Sequence, residues 1–333
     1  MTDPATSATP LPLFGVNLGR LADPASGPAP AGPPGDDPAG VPAGPVAAAR
    51  WAEENGLDVV TAADHVGAPS PFLQLAAAAA VTSRVRLRTY VLDYGFWNPV
   101  LLARDVATLD VVSGGRVDLG LGAGHMPKEH ERAGLPFPRY ADRLAELDAF
   151  AAAVRDALAA DDQAPKPVQQ PVPLFIAAMS PRGLDVAARH GSVVGLAGAV
   201  QLAGRPAGTF GLASSAQTDE RVAEVRAARA ARGQQPATFD VLLQMVSIGQ
   251  DPTERAEALA AEWAAEGDDI TAAELLDTPF LLFARTAEDA AAELERRTAR
   301  WGVSSWCTHT PSGVPLAQVA AAYRARAAAG APA

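Results

Sequence analysis

Five histidines and one cysteine leave this chain few routes to acid–base or nucleophilic chemistry, and their neighbours decide which. Asp64 and His65 are adjacent, and a carboxylate beside an imidazole that titrates near neutrality can work as an acid/base unit. The same pair can equally be a turn cap followed by a surface histidine. Tyr90, Tyr94, Phe96 and Trp97 lie close together, which suits a pocket wall for a flat ligand as well as it suits loop packing. Gly120-Leu121-Gly122-Ala123-Gly124-His125 is not the dinucleotide fingerprint, because His125 stands where the third glycine belongs. Its glycines still permit close backbone approach to a ligand. His125, Glu129 and His130 carry metal-ligating atoms, but their spacing fits no H-E-x-x-H pattern, and no metal is expected. Ser180-Pro181-Arg182-Gly183 reads as an N-cap followed by proline at the first helical position. The free N–H groups of such a helix start, with Ser180 and Arg182, can hold a phosphate. Cys307 has apolar neighbours and reads as packing, not as a nucleophile; alone, it excludes an intramolecular disulfide.

The elements that position these residues alternate. Short strand-like runs begin at Leu13, Asp58, Val85, Val117, Leu174, Ser192, Phe239 and Val303, and helical patterns come after them. The run from Val85 to Leu92 reads as one strand, as does Phe239 to Ile248. Strict strand–helix alternation implies a parallel sheet, and eight units imply a closed (β/α)8 barrel. The C-terminal ends of its strands then form the active face. Asp64-His65, the aromatic stretch, the glycine turn and Ser180 all lie just past strand ends. The expected organisation is a frayed start over 1–12 and one barrel over 13–330. A proline- and glycine-rich insertion at 20–45 interrupts it, because proline at that density forbids a helix or an inner strand.

At 333 residues the chain is long enough for about two domains or one large barrel. Its 48% hydrophobic content excludes a disordered chain. A net charge of −11 disfavours nucleic acid and anionic membrane surfaces as partners. No apolar run is long enough to span a bilayer, and the start MTDPATSATP has neither a basic segment nor an apolar core. A soluble cytoplasmic protein is expected.

Several stretches together resemble the luciferase-like flavin and deazaflavin oxidoreductases, and among them the coenzyme F420-dependent branch. They are Asn55-Gly56-Leu57-Asp58-Val59-Val60 leading to Asp64-His65, and Asn98-Pro99-Val100-Leu101-Leu102-Ala103-Arg104. Most specific is Ser113-Gly114-Gly115-Arg116-Val117-Asp118-Leu119-Gly120-Leu121-Gly122-Ala123-Gly124, with Glu129-His130 and Gly134-Leu135-Pro136-Phe137-Pro138 after it. The resemblance spans about 13–330 and implies a barrel that binds its cofactor at the C-terminal mouth. It implies a phosphate at Ala177-Ala178-Met179-Ser180 and a non-prolyl cis peptide near Tyr90-Val91, bulging behind the ring. It also places Asp64, His65, Val91 and Ala123-Gly124 near the deazaflavin.

The chain departs from the pattern in places. The sugar-phosphate dehydrogenases of the group carry a glutamate proton donor where His125 stands, which argues against sugar-phosphate oxidation. Lys128 and Lys166 are the only lysines, so an anionic cofactor tail must meet arginine, with Arg182 the first candidate. The resulting expectation is a reductase using reduced F420 on a C=C or C=N bond of a metabolite or modified peptide. His65 or His125 supplies the proton beside Asp64, and Phe96 and Trp97 line the substrate side. The alternatives are an oxygenase using reduced FMN and a catalytically silent barrel that serves as a binding partner. The family habit implies a homodimer packed through helices beside strands two and three.

Overall fold

The computed structural model describes residues 10–19, 40–201, 210–265 and 270–330. Most of the expected frayed start and of the proline-rich insertion therefore lies outside the described residues. Eight parallel strands form the barrel: β1 (Leu13–Asn17), β2 (Val59–Ala62), β3 (Arg86–Thr89), β4 (Val117–Gly122), β5 (Leu174–Ala178), β6 (Val193–Leu196), β7 (Thr238–Leu243) and β8 (Val303–Thr308). They run in the order β3-β2-β1-β8-β7-β6-β5-β4, and pairing of Leu87 with Val117 and Arg88 with Asp118 closes the ring. Each strand starts within one residue of the sequence expectation. Among the described residues, no helix is long and apolar enough to cross a membrane.

Two expectations are corrected and two elements are added. The run 85–92 is not one strand: β3 ends at Thr89, and pairing with β4 resumes only at Leu92–Asp93. Between them the Tyr90–Val91 peptide bond is cis. The run 239–248 breaks at Gln244, whose N–H donates to the Phe280 carbonyl at 2.7 Å instead of continuing the barrel ladder. Beyond it, Met245–Ile248 pairs in parallel with Leu281–Ala284 as a separate two-stranded sheet. The segment between Gly124 and Gly134 carries a helix, Pro127–Ala133, opened by proline and closed by Gly134 at φ 69°. An antiparallel pair, Ala199–Gln201 with Phe210–Leu212, is also additional.

Alternation along the strands separates two cores. Phe14 faces outward and meets Tyr323 of the last helix edge-on, with ring centroids 5.5 Å apart. Trp306 likewise faces outward, its indole N–H donating to Thr298 Oγ1 at 3.1 Å. Arg86 and Arg88 alternate with Leu87 and Thr89, and here the polar set points into the barrel while the leucine faces the helices. Arg88 of β3 reaches Asp240 of β7, halfway round the ring, at 2.6 Å, a contact possible only through the interior. Barrel interiors are usually filled by branched apolar side chains. This one is charged at its centre.

The entry to β3 is fixed by Glu53, near the end of the helix Pro45–Glu54. Its carboxylate accepts the backbone N–H groups of Ser83 (3.0 Å), Arg84 (2.7 Å) and Val85 (3.0 Å). Desolvation opposes the anion, but these bonds outweigh it and hold the pKa at about 2, against 4.5 for an ordinary glutamate. A depressed acid stabilises the fold above its unfolded pKa and loses that contribution as pH falls through the folded one. Glu53→Gln should therefore be less stable than wild type at pH 7, with the gap narrowing as pH falls from 4.5 towards about 2. Denaturant midpoints across that range test this; a gap independent of pH would remove the carboxylate as the cause.

Candidate active site

Strands β2 to β5 are neighbours in the ring, and their C-terminal ends build one half of the barrel mouth. Past β2, Asp64 Oδ2 accepts the Trp97 indole N–H at 2.7 Å. Desolvation raises the Asp64 pKa above the ordinary aspartate value, working against the Trp97 bond, which favours the anion. Next to it, His65 Nδ1 lies 2.9 Å from Glu129 Oε1, while Glu129 Oε2 accepts the Val66 N–H at 3.2 Å. A carboxylate can only accept, so Glu129 holds a proton on Nδ1 and leaves Nε2 as the exchangeable nitrogen. The His125 ring stands 5.7 Å from that of His65, nearly perpendicular to it. His125 is exposed, and its pKa is lowered, first by desolvation and then by the neighbouring charge of His65.

The turn Ala123-Gly124 that presents His125 is held from beneath. Asp93 Oδ2 lies 2.8 Å from His130 Nε2, and His130 Nδ1 lies 2.8 Å from the Pro136 carbonyl. The Pro136 carbonyl can only accept, so Nδ1 donates to it, and Nε2 shares a hydrogen bond with the Asp93 carboxyl. Gly124, at φ 70°, sits so close that a Cβ there would fall 2.1 Å from Asp93 Oδ2. Arg143 completes the support by donating to the carbonyls of Ala123 (3.0 Å) and Pro138 (2.6 Å), with its guanidinium 3.9 Å from the Phe137 ring centre. The glycines of this turn thus make room for the protein's own side chains.

Past β5, Ser180 caps the helix Pro181–His190: its Oγ accepts the Gly183 N–H at 3.1 Å and bonds Tyr140 Oη at 2.8 Å. A Cβ at Gly183 would lie 2.9 Å from Ala178 Cβ and 3.1 Å from Tyr140 Oη, so only glycine fits this cradle. Ala177 and Ala178 are half-buried and Met179 is buried. Arg182 is exposed and lines an outer groove with Asp148, Asp185 and Arg189.

The structure therefore brings Asp64, His65, His125 and Trp97 together at the mouth, with Val91 behind them and Ser180 at the side. Phe96 turns elsewhere, against the buried His130 at 4.7 Å. Tyr90 is half-buried, stacks on Phe175 and directs its hydroxyl to Asp240 inside the barrel. Sequence reasoning missed the pairings of Glu129, Asp93, His130 and Arg143, although Glu129-His130 belongs to the stretch that carries the family resemblance. On the opposite half of the mouth it missed His309, 3.2 Å from Gln244 Oε1. Among the described residues, no group of three or more His, Cys, Asp or Glu is placed to hold a metal.

A family model described as luciferase-like monooxygenase matches residues 26–331. The oxygenase component of a flavin-dependent trigonelline monooxygenase from Acinetobacter baylyi is 30% identical over 161 residues, 42% of this chain and 44% of that protein. An F420-dependent glucose-6-phosphate dehydrogenase from Amycolatopsis mediterranei is 33% identical over 162 residues, 42% of this chain and 49% of that protein. The matched region thus spans just under half the length of each of these relatives. Among solved structures, an F420-dependent secondary alcohol dehydrogenase in complex with an F420–acetone adduct superimposes with a TM-score of 0.68 at 18% identity. That match covers 94% of this chain and 99% of the other, and it is a likeness of fold.

The coupling between the two mouth histidines is open to measurement. Histidine titration by NMR should put the His125 midpoint below 6.5, and His65→Gln should raise it by removing the neighbouring positive charge. An unchanged His125 midpoint in His65→Gln would show that the two rings do not sense each other.

Proposed function

The chain belongs to the luciferase-like monooxygenase family, and from that premise we propose that it is a reductase using reduced coenzyme F420. Its substrate on this reading is an electrophilic C=C or C=N bond in a small metabolite or modified peptide, for example a dehydroamino acid. The observation that carries the reading is the His65–His125 pair at the mouth, with Glu129 holding one ring. When one carbon of a double bond gains hydride, its neighbour must gain a proton, and these are the groups placed to give it.

The residues present fit such a cofactor. The Ser180–Gly183–Tyr140 cradle offers a hydroxyl and helix N–H groups to a phosphate. Val91, Ala123, Gly124, Ala177 and Ala178 supply small, apolar walls for a ring system. Bound there, the deazaflavin supplies the hydride. The chain's own part is to orient the substrate and to pass a proton from His65 Nε2 or from His125, with the Glu129 carboxylate steadying the imidazolium. Asp64, whose desolvation favours the protonated carboxyl, adjoins this pair. Arg182 is the candidate contact for an anionic cofactor tail. The second reading, an oxygenase using reduced FMN, is favoured by the flavin-dependent relative, which is similar over the same share of the chain.

We also propose a homodimer. Leu73 is 74% exposed on the helix Pro71–Ala79, and Val100, Leu101, Val111 and Val112 are exposed on the adjoining helix Pro99–Ser113. These helices come after β2 and β3, and large apolar side chains exposed along two adjoining helices suit an association surface.

Titrating the protein with F420 and, separately, FMN, while following tryptophan quenching, tests the cofactor. F420 alone should bind tightly; a preference for FMN with oxygen consumption would replace the reductase, and binding of neither would remove the enzyme reading. Ser180→Asp should weaken cofactor binding by about tenfold or more, since a carboxylate would face the phosphate. His65→Ala should lower turnover of a screened alkene or imine by about 10²-fold with cofactor affinity kept. If instead only His125→Ala abolishes turnover, His125 is the proton donor. Light scattering of Leu73→Asp/Val112→Asp should report a monomer, and a wild-type monomer would refute the dimer.

A further inference from the structure

Below the mouth lies a charged layer that the proposed reaction does not use. Arg88 Nη1 is 2.6 Å from Asp240 Oδ2, and its Nε and Nη2 are 3.2 and 3.1 Å from Asp118 Oδ2. Arg86 binds the same Asp118 from below, with Nε at 2.9 Å from Oδ1. Asp240 is fully buried and takes three more donors: the hydroxyls of Tyr90 and Ser305 and, at 3.5 Å, the Cys307 thiol. Arg88, Ser305 and Cys307 all fall on Oδ2, so the Tyr90 hydroxyl is the donor that holds Oδ1.

The Tyr90 hydroxyl has one proton, and it is committed to Asp240, away from the mouth. The Tyr90 ring is stacked on Phe175, with centroids 5.3 Å apart and planes 16° from parallel. Gly195 leaves room for that stack, since a Cβ there would come within 2.4 Å of Phe175 Cζ. Tyr90 is the less buried member of the stack, and it stands just past the end of β3 with Val91 next to it in the chain. Burying two ion pairs costs desolvation that an apolar layer would avoid, so such a layer is often no more stable than its apolar replacement. Its return has to be sought in what it holds still.

We propose that Asp240 is a positioning residue: by fixing the Tyr90 hydroxyl as a donor into the barrel, it sets the Tyr90 ring as the floor for the cofactor. The phenol is thereby withheld from proton transfer, which is left to the histidines. The inference rests on the reading that a flavin-type ring lies against Tyr90 and Val91. Burial and the Asp240 charge together push the phenol well above the ordinary tyrosine range, in keeping with a proton that does not leave.

Two measurements test it. In an alkaline absorbance titration without cofactor, Tyr90→Phe should superimpose on wild type through the ordinary tyrosine transition near pH ~10, because Tyr90 contributes nothing there. Loss of one tyrosine's amplitude in the variant would mean a free phenol and would overturn the proposal. Second, Tyr90→Ala should weaken cofactor binding by about tenfold and change the visible circular dichroism of the bound ring. Tyr90→Phe should restore most of that loss and keep both limbs of the pH–rate profile. Asp240→Asn should reproduce the altered dichroism; where it fails to fold, the Tyr90 pair and the titration decide. A Phe variant as impaired as Ala, or one missing a limb of the profile, would make the hydroxyl a chemical partner and sink the positioning role. Wild-type protein that binds neither F420 nor FMN would overturn that role together with the reading beneath it. A free phenol in a protein that does bind cofactor overturns the inference alone.

Discussion

Strands β3 and β4 close the barrel at a separation that admits no side chain at Gly120. A Cβ there would stand 1.9 Å from the Thr89 carbonyl oxygen, far inside any tolerable contact. Even mild overpacking of a filled interior costs about 1–3 kcal/mol, and this collision is with backbone, which cannot swing aside. The seam fixes the path of both strands beyond it. Thr89 Oγ1 exchanges hydrogen bonds with Gly120 at 2.9 and 2.7 Å, Val91 fills the space beside Gly122, and Asp93 lies under Gly124. From that one approach come the bulge at Tyr90–Val91, the carboxylate that grips His130 and the turn that carries His125.

Above and below this seam the polar groups are used differently. In the interior, Arg88, Asp118 and Asp240 satisfy one another with no solvent at hand, and removing a partner from such a set typically costs about 3–5 kcal/mol. At the mouth the groups are only partly enclosed. His65 leans on Glu129, while desolvation and its neighbour drive His125 towards the neutral form. The interior supplies rigidity and the mouth supplies exchangeable protons.

The strand pattern was legible because most of the barrel strands are short, largely apolar runs separated by helical stretches, β3 with its two arginines being the exception. Arg86 and Arg88 displayed the period of two that marked β3, yet period alone does not say which face looks inward. Asp118 and Asp240 interrupt Val117–Leu119 and Phe239–Val241, and a lone carboxylate in a core strand was a usable sign of an internal partner. The break at Gln244 could not be read, since a glutamine between Leu243 and Met245 fits one extended strand as well as two; only the Phe280 carbonyl, 36 residues on, decides it. Glu129 and His130 are adjacent in sequence but point to opposite sides of a short helix, one to His65 and one to Asp93. Their roles needed the strand ends to be placed first.

The two halves of the mouth carry different constraints. The half made by β2 to β5 holds most of the residues that carry the family resemblance, and each is braced by the seam, by Arg143 or by the Ser180 cap. Changing one would disturb another. The half made by β1 and β6 to β8 carries the added hairpin, the pair Met245–Ile248 with Leu281–Ala284, and His309 beside Gln244. These elements take no part in the pairing that closes the ring, although Val246, Phe280, Leu282 and Ala284 anchor them in the main hydrophobic core. On the proposed reading, a fold divided this way keeps one cofactor geometry while the facing wall is reshaped around different substrates.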